Sequence, residues 1–465
     1  MKAFVDKGSF RDRRARVYFV ENEIIRLLDA DAYENWRCLS KSDLFKRLVA
    51  NGDVVKTEEI VMDRLPGSLV SEGWAAAVRH EPIPFISYPY EWSFGQMRDA
   101  ASFHLALLKM SLEENFILKD ASAFNIQWKG SKPVFIDIGS FEKLKPGEPW
   151  VGYRQYCEMF LNPLLLAAYK GVPFRFWMRG RIDGLETSHL AKLFTLRDLF
   201  RRGVFKHVYL HAKLQHLMQS SRVSKSSIRQ AGFDKTIIIA NIRSLQGTLR
   251  RLKYRSTRSH WLNYAQTHSY GETDYQLKKR FVTQVISERD WKLVWDIGCN
   301  TGEFSRIAAK SGAYVVAMDS DQDAVDALYE TCKLENQQRI LPLVVNLVDP
   351  SPSQGWRGQE RQSLESRGQP DLVLALALLH HVVIGANIPL PDFVAWLRTL
   401  GAAVVVEYIS KEDEMVATLL QNKEDIYHDY TETSFEKNLT LAFDIQRREK
   451  LKDGLRTLYF ITPKE

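Results

Sequence analysis

The sequence is poor in cysteine and contains no long hydrophobic run. Its four cysteines, Cys38, Cys157, Cys299 and Cys332, are far apart in 465 residues, and no C-x-x-C pair occurs. This scatter indicates reduced thiols and argues against a disulfide framework or a zinc site. The apolar run from Leu372 to Leu379 is followed by two histidines. It is far shorter than the roughly 20 residues that a membrane helix needs, so we expect no membrane span.

The amino-terminal segment also lacks a targeting signal. Residues 1–16 carry six basic side chains and no apolar stretch, so we do not expect export through a signal peptide. The composition, 45% hydrophobic and 26% charged, is that of a folded globular protein and excludes a mainly disordered chain. A cytoplasmic enzyme is the expectation that follows.

Acidic residues are nearly missing from residues 201–260, which contain fourteen Lys or Arg and one acid, Asp234. Such a block could bind a polyanion, a membrane surface or an acidic partner. Apolar residues recur between the basic ones, and this pattern favours amphipathic helices whose basic faces are solvated.

The length implies at least two domains, at about 150 residues each. The first part predicts a hairpin over Arg16–Asp29, a helix over Tyr33–Ala50, extended pieces at VVKTEEI and PFISYPYEW, and a buried helix over Met97–Glu114. Residues 151–285 are mostly helical in pattern, with a Ser-rich link at 220–227.

From Trp291 onward the pattern changes to short Val, Leu and Ala-rich runs that alternate with helical segments. Strands that are buried on both faces have this composition, so we predict a parallel α/β sheet with crossover helices. The two last runs, FDIQRREKL and RTLYFITP, predict an antiparallel hairpin at the edge of that sheet.

The most informative segment is VWDIGCNTGEF, a strand that contains Asp296 and leads into a turn with Gly298, Asn300 and Gly302. Glycine and asparagine tolerate the left-handed backbone that lets a chain pass close to a ligand. The next strand ends in Asp319, where a carboxylate can accept both hydroxyls of a ribose. The segment lacks the G-x-G-x-x-G pattern of dinucleotide binding.

The pattern D-x-G-x-x-x-G followed by an acid at the end of the second strand resembles that of class I S-adenosylmethionine (SAM)-dependent methyltransferases. The resemblance continues through a third strand, Leu341–Asn346, and a fourth at DLVLALALLHH. It extends to a fifth strand ending at Glu407 and to the closing hairpin. It implies a Rossmann-like seven-stranded sheet and SAM as the methyl donor. It also implies that Asp296, Gly298, Asn300, Gly302, Asp319 and Asn346 bind this donor.

Methyl transfer by in-line displacement depends mainly on holding donor and acceptor in contact. A base is needed only where the acceptor loses a proton, and a neutral imidazole suits that task near pH 7. His380 and His381 follow the fourth strand and are the candidate bases; alternatively, they only hydrogen-bond the loop. Glu407 is a further catalytic candidate, and Asp429 and Tyr430 are weaker ones because they only follow the fifth strand.

A second constellation, FILKDASAFNIQWKGSKPVFIDIG, places Asp120 five residues before Asn125, with Asp137 in a later strand. This spacing resembles the catalytic loop and metal-binding acid of protein-kinase-like phosphotransferases, where Asn125 and Asp137 would hold magnesium. No Gly-rich loop precedes it, Lys56 is the only plausible phosphate lysine, and Leu118 stands at the usual histidine position. We therefore predict a kinase-like α+β domain that has lost phosphotransfer, and no metal site unless that activity persists.

The combination of a kinase-like front and a methyltransferase back resembles the methyltransferase-like family of the nodulation protein NoeA, on the segments SYPYEWSF, LKDASAFN, DPSPSQGW and LALALLHH. The predicted domains are kinase-like at 1–200, a basic helical connection at 201–285 and a SAM-dependent methyltransferase at 286–465. The resemblance implies a bacterial cytoplasmic enzyme that methylates a small molecule or glycan-type acceptor, and the sequence leaves that acceptor and the oligomeric state open.

Two alternatives accompany this prediction. In the first, the kinase-like half phosphorylates a sugar- or lipid-linked acceptor that the other half methylates. In the second, the basic block guides methylation of nucleic acid. Enzymes that methylate the amine of a flipped base often carry N-P-P-Y or D-P-P-Y after the fourth strand. Here that place reads HHVVIGANIPL, which disfavours the nucleic-acid alternative.

Overall fold

The computed structural model describes residues 3–21, 23–70, 73–220, 235–254 and 272–464. The chain divides into two compact units. The amino-terminal unit comprises Met1–Trp128, Pro133–Thr257 and Ser353–Gln362, and the carboxyl-terminal unit comprises Lys129–Lys132, Arg258–Pro352 and Ser363–Glu465. The predicted boundaries after residues 200 and 285 fall inside these units.

The strands of the described residues are numbered in chain order. They are β1 (Ala3–Val5), β2 (Ala15–Val20), β3 (Glu23–Leu28), β4 (Thr57–Ile60), β5 (Ala76–His80), β6 (Phe116–Leu118), β7 (Ile126–Lys129), β8 (Lys132–Phe135), β9 (Phe141–Lys143), β10 (Leu293–Ile297), β11 (Tyr314–Asp319), β12 (Ile340–Val344), β13 (Leu372–Ala375), β14 (Ala403–Ile409), β15 (Phe443–Lys450) and β16 (Arg456–Pro463).

The helices of the described residues are divided between the two units. In the amino-terminal unit they are Ala30–Ser40, Asp43–Ala50, Gly67–Val70, Phe94–Glu113, Tyr153–Tyr156, Asn162–Lys170, Arg175–Gly180, Thr187–Leu193, His211–Ser220 and Lys235–Leu249. In the carboxyl-terminal unit they are Glu272–Ser287, Glu303–Lys310, Gln322–Leu334, Leu390–Thr399, Glu414–Leu420 and Glu432–Ala442.

Short 3₁₀ and π-helical turns connect these elements. The 3₁₀ turns are Ser9–Arg11, Met62–Arg64, Pro89–Glu91, Ala123–Asn125, Ile138–Ser140, Leu196–Phe200, Trp356–Gly358 and Leu364–Ser366. The π-helical turns are Cys157–Leu161, Phe205–Leu210 and His381–Gly385.

The amino-terminal unit is α+β. Its five-stranded antiparallel sheet has the order β1-β2-β3-β5-β4, and the predicted hairpin over Arg16–Asp29 is confirmed by the pairing of β2 with β3. Alternate residues of these strands, such as Ile25 and Leu27, are buried in a core beneath the sheet. The predicted helix over Met97–Glu114 is confirmed as Phe94–Glu113, which Ser93 caps by accepting from the amide of Gln96.

Two predicted elements of this unit were wrong in detail. The predicted single helix over Tyr33–Ala50 is broken into two, because Ser42 caps the second helix by accepting a hydrogen bond from the Phe45 amide. The segment PFISYPYEW is not a strand; it forms the 3₁₀ turn Pro89–Glu91. Its prolines remove the amide donors that a strand needs. The Ser-rich link at 220–227 lies, beyond Ser220, outside the described residues.

The carboxyl-terminal unit contains a seven-stranded sheet with the order β12-β11-β10-β13-β14-β16-β15. Neighbours from β12 to β14 are parallel, and β16 is antiparallel to both β14 and β15. The predicted parallel sheet with an antiparallel edge hairpin is therefore confirmed. Residues from both faces form the core, and the helix Glu272–Ser287, predicted as part of the connecting region, contributes Phe281 and Val285 to it.

Within the described residues, none of the helices has the length and apolar character that crossing a membrane requires.

Candidate functional site

A cavity of about 310 Å³ opens at the carboxyl ends of β10 to β13. The order of the strands reverses on either side of β10, and ligands of open α/β sheets bind at such a point. Six of the residues singled out in the sequence line this cavity: Gly298, Asn300, Asp319, Asn346, His380 and His381. Asp296, Gly302 and Glu407 are not among its described lining residues.

The loop after β10 has a left-handed backbone at every second residue. The φ angles are +80° at Gly298, +46° at Asn300 and +78° at Gly302. The amides of Gly298 and Cys299 both donate to the carbonyl of Met318, at 2.8 and 3.0 Å. This folding pins the loop to the end of β11 and places the backbone along the cavity.

Asp319, the last residue of β11, is tied to that loop. Its Oδ2 accepts from the amide of Asn300 at 2.8 Å, and its Oδ1 accepts from the amide of Asp321 at 2.9 Å. Burial raises the pKa of Asp319, although these backbone hydrogen bonds oppose the effect. Each carboxylate oxygen accepts one of these bonds and retains capacity for another.

Asp296 lies beneath the loop and is 2% exposed. Its Oδ2 accepts a hydrogen bond of 2.5 Å from the hydroxyl of Ser305, in the helix that follows the loop. Burial and the nearby charge of Asp319 raise the pKa of Asp296 to about 6, despite the hydrogen bond from Ser305. Gly302 is the residue just before the same helix, and a Cβ atom there would meet Leu328 Cδ1 at 2.5 Å.

The two histidines lie side by side, with ring centroids 4.1 Å apart. The fourth strand is shorter than predicted, since β13 ends at Ala375 and the histidines begin a helical turn. His380 is buried, and its Nδ1 has no hydrogen-bond partner. Burial lowers the pKa of both imidazoles, and the charges of His381, Arg456 and Lys278 lower that of His380 further. Both rings are therefore neutral at pH 7.

Glu407 does not end its strand as predicted but lies inside β14, which continues through Ile409. Its Oε2 accepts from Lys278 Nζ at 2.6 Å and from the amide of Ala377 at 2.8 Å. Its Oε1 is 3.6 Å from Arg456 Nη1. Burial alone would raise the pKa of Glu407, but the charges of Lys278 and Arg456 outweigh it and hold the pKa below its ordinary value.

This buried network reaches two walls of the cavity. Ala377 lines the cavity with a left-handed φ of +49°, and Glu407 holds its amide. On the other side, Arg456 Nη2 is 2.8 Å from Asp413 Oδ2, and Asp413 Oδ1 caps the next helix by accepting from the amide of Met415. Met415 is also a lining residue. No local sequence pattern marks the other members of this network, Lys278, Asp413, Met415 and Arg456.

The remaining candidates of this unit are placed as follows. Asn346 lines the cavity, and its side-chain oxygen accepts from the amide of Val348 at 3.3 Å. The hydroxyl of Tyr430 is buried and donates to the carbonyl of Ile409 at 2.9 Å. Asp429 is exposed. Neither Asp429 nor Tyr430 is among the described residues that line the cavity.

In the amino-terminal unit, Asn125 and Asp137 are brought together, but Asp137 is already engaged. Its Oδ1 accepts from Arg26 Nη1 at 2.7 Å and its Oδ2 from Asn125 Nδ2 at 3.4 Å. Burial and the charge of Asp137 raise the pKa of Asp120. Lys56 lines a different recess, together with Glu58 and Arg79. Within the described part of the chain, no three His, Cys, Asp or Glu side chains are grouped as metal ligands.

The chain is similar to nodulation protein NoeA from Rhizobium meliloti (strain 1021). The two are 34% identical over 462 residues, which cover 97% of this chain and 94% of that one. The chain belongs to the NoeA family. No protein-family model matches it.

Two further similarities fall on part of the chain. A ribosomal protein L11 methyltransferase from Herpetosiphon aurantiacus is 29% identical over 133 residues, 27% of this chain and 40% of that protein. Among solved structures, the N-methyltransferase NodS from Bradyrhizobium japonicum WM9 matches 42% of this chain and 99% of that chain, at 14% identity and a TM-score of 0.30.

This NoeA-family chain carries the seven-stranded order, the glycine loop and the acid at the end of the second strand of class I methyltransferases. These features predict S-adenosyl-L-methionine as the methyl donor of this chain.

Proposed function

We propose that the chain methylates a small-molecule or glycan-type acceptor and that one of the two histidines, His380 or His381, takes up the proton which the acceptor loses. The observation that carries this proposal is that both imidazoles line the same cavity as Asp319 and the loop residues Gly298 and Asn300. A base and a donor-binding loop in one cavity are what transfer to a protonated nucleophile requires.

The residues of the cavity fit the donor. Asp319 retains acceptor capacity on both oxygens for the two hydroxyls of a ribose. The side-chain oxygen of Asn300 is buried and has no hydrogen-bond partner, so it can accept from a polar group of a ligand. We assign the adenine side of the cavity to Asn346. When bound, S-adenosyl-L-methionine supplies a methyl group already attached to a sulfonium leaving group.

Asp296 and Gly302 support the donor from outside the cavity in this proposal. Asp296 fixes the start of the helix through Ser305. Gly302 allows the left-handed turn in which the loop meets that helix. Both would affect donor affinity through the shape of the loop rather than through a contact.

Glu407 is better assigned as a positioning residue than as a catalytic one. Its carboxylate is fully buried and is taken up by Lys278, Arg456 and the Ala377 amide. We propose that it holds the Ala377 wall, and through it the turn that carries His380. The lowered pKa of Glu407 keeps it charged and therefore unable to donate a proton at neutral pH.

A small acceptor fits this site better than nucleic acid. The segment after β13 buries Val382, Val383 and Ile384 in the turn that begins with the histidines. Apart from the two histidines, it therefore lacks the polar and aromatic side chains that hold the amine of a flipped base in the enzymes described above. A polar acceptor that contains no nucleobase needs only one of the two histidines as a general base and an open cavity mouth.

The ion pair between Arg26 and Asp137 supports a kinase-like domain without phosphotransfer. A carboxylate that must hold magnesium is here neutralised by a guanidinium at 2.7 Å. We propose that the amino-terminal unit presents the acceptor. An assay for ATP hydrolysis or phosphotransfer with magnesium, compared between the wild type and Asp137→Ala, tests this point. Robust activity that depends on Asp137 would favour the bifunctional alternative instead.

The central experiment uses labelled S-adenosyl-L-methionine and fractionated cell extract to find the fraction that takes up the methyl group. We expect uptake by a small-molecule or glycan fraction. His380→Ala and His381→Ala should then lower turnover, by about 10²–10⁴-fold for the residue that acts as base. Affinity for S-adenosyl-L-homocysteine, measured by calorimetry, should change little in both variants.

The matched control is His428→Ala, because His428 is exposed and lies in the same unit. It should leave both turnover and donor affinity unchanged. An equal loss of turnover and of donor affinity in His380→Ala and His381→Ala would mean that the histidines only support the loop. Uptake of the methyl group by nucleic acid, with affinity that falls steeply as salt is added, would overturn the proposed acceptor class.

A further inference from the structure

A second cavity, of about 340 Å³, lies in the amino-terminal unit and is rich in arginine. Arg11, Arg154, Arg181 and Arg361 all line it, together with Ser122 and Phe124 from the loop that follows Asp120. Neither the donor-binding residues nor the histidines described above belong to it. The arginines come from separate parts of the chain, so the fold rather than one basic stretch collects them.

The turn from Gln354 to Arg361 delivers one of these arginines. Its two ends pair as an antiparallel bridge. The side-chain amide of Gln354 donates to the carbonyl of Arg179, and the Gln362 amide donates to the hydroxyl of Tyr88 at 2.9 Å. A Cβ atom on Gly8 would lie 2.8 Å from the Glu360 carbonyl oxygen, so glycine permits this close approach. The turn is thus fixed against the rest of its unit.

Three of the four guanidinium groups are paired with carboxylates. Arg11 forms a double hydrogen bond with Glu360, at 2.5 and 2.9 Å. Arg154 Nε donates to Glu158 at 3.0 Å, and Arg181 pairs with Glu186. These pairs neutralise most of the charge of the cavity and hold the side chains in place.

Arg361 differs from the other three. Within the described residues it makes no ion pair with a carboxylate inside 4.0 Å. Its guanidinium lies 4.2 Å from the ring centroid of Phe124, and its Nη1 donates to the Glu360 carbonyl at 2.9 Å. Its Nε is buried and has no hydrogen-bond partner. The stacking fixes the plane of the guanidinium while part of its hydrogen-bonding capacity stays unused.

We propose that this cavity is a binding site for an oxyanion group, a carboxylate, sulfate or phosphate, held by Arg361. A planar guanidinium with fixed orientation matches the two oxygens of such a group. Arg361 is thus the one lining arginine without a carboxylate partner in the described part of the chain, and Ser122 offers a hydroxyl in the same cavity. The proposal does not depend on methyl transfer, since it concerns a different cavity and a different chemical group.

The test is calorimetric titration of the full chain with inorganic phosphate, inorganic sulfate and glucuronate, at constant ionic strength. We expect at least one of the three to bind, and the pattern among them tells a carboxylate ligand from a phosphate or sulfate ligand. Arg361→Gln should weaken that binding by about tenfold or more, because it removes both the positive charge and the paired N–H donors of the guanidinium. Arg361→Lys retains the positive charge but lacks the planar pair of N–H donors, and it should weaken the binding by roughly threefold or more.

Arg13→Gln is the matched control, since Arg13 is exposed and is not a described lining residue of the cavity. It makes the same change of net charge and should leave the affinity within about twofold. Circular dichroism and cooperative unfolding in urea establish in each variant that the chain is folded. If Arg361→Gln does not fold, Arg361→Lys decides. No binding of any probe at about 20 mM in a folded wild type, or equal binding by the Arg361 and Arg13 variants, would overturn the proposal.

Discussion

The carboxylate of Glu407 lies 2.6 Å from the ammonium of Lys278, and both side chains are shielded from solvent. The two residues are 129 positions apart, one in the helix Glu272–Ser287 and the other in β14. The same carboxylate oxygen holds the Ala377 amide at the wall of the donor cavity. A single buried charge therefore links the core of the unit to the shape of its site.

Replacing Glu407 by Gln should destabilise the chain by about 3–5 kcal/mol, because it removes the negative charge that faces two buried cations. Asp413 still pairs with Arg456 in this variant. The double variant Glu407→Gln/Lys278→Met should therefore recover a large part of the loss. The free energy of unfolding in urea measures both effects.

The control is the exposed pair of Arg280 and Glu449, whose nitrogen and oxygen are 2.8 Å apart. Glu449→Gln should cost less than about 1 kcal/mol, as solvent screens this pair. If the double variant is no more stable than Glu407→Gln alone, the loss does not come from an unbalanced charge.

A second prediction concerns the pH dependence of stability. Asp296 has an ordinary pKa of 3.8, which burial raises to about 6 in the folded chain. The folded state therefore favours the protonated carboxyl of Asp296. The stability that this carboxyl costs the folded chain grows as the pH rises from about 4 to 6. Asp296→Asn mimics the protonated form. Without donor, the variant should be more stable than the wild type at pH 7.5, by at most about 3 kcal/mol.

The same comparison at pH 4 provides the control, since both chains then carry a neutral group at this position. The difference in free energy of unfolding should shrink there. A variant that is less stable at pH 7.5, or a difference that is the same at both pH values, would contradict the raised pKa of Asp296.

A third prediction concerns the histidines. The ordinary imidazole pKa is 6.5, and burial lowers the pKa of both rings, with the charges of His381, Arg456 and Lys278 adding to the effect at His380. A lowered pKa keeps each base unprotonated to lower pH. Nuclear magnetic resonance of the ring carbons should show both titrating below pH 6.5, with His380→Gln and His381→Gln spectra giving the assignment.

Lys278→Met removes one of the charges near His380 and should raise the pKa of that ring, while His381 serves as the internal reference because burial alone lowers its pKa. Once the acceptor is known, kcat/KM should stay level from pH 8 down to 6.5 and fall only at lower pH. A fall centred at or above pH 6.5 would exclude these histidines as the base.

The donor loop could be predicted from the sequence because its information is local. Gly298, Asn300 and Gly302 lie within five residues and all take up the left-handed backbone that their residue types permit. Asp319 could be found in the same way, because it is the acidic residue at the end of the next buried strand. The strands themselves are recognisable because burial on both faces requires uninterrupted apolar runs.

The network below the cavity could not be predicted, since its members are distant in sequence and each looks ordinary there. Lys278 is one of many polar residues on its helix, and Arg456 is the first residue of a strand that lies inside the sheet, between β14 and β15. Only the packing of that helix against β14 reveals that Glu407 is buried. By contrast, the break at Ser42 could have been found, because a serine before an acidic helical start is a cap signal.

A last prediction isolates the role of Gly302. Alanine there would be strained at φ +78°, and its Cβ would meet two carbons of the buried Leu328 side chain at 2.5 and 2.8 Å. Gly401 has a similar φ of +65° but nothing within 4 Å of the added carbon. Gly401→Ala should therefore cost about 1–2 kcal/mol from the backbone alone. Gly302→Ala should cost about 1–3 kcal/mol more, from overpacking.

Unfolding in urea separates the two contributions, and the double variant Gly302→Ala/Leu328→Ala tests the contact directly. Leu328→Ala leaves a cavity, and this cavity should accommodate the methyl group that Gly302→Ala adds. The double variant should therefore lose less stability than the sum of the losses of the two single variants. Calorimetry with S-adenosyl-L-homocysteine should show weaker binding for Gly302→Ala and unchanged binding for Gly401→Ala, since only Gly302 shapes the donor loop. Equal costs at the two glycines would mean that Leu328 moves aside and that only the backbone conformation requires glycine there.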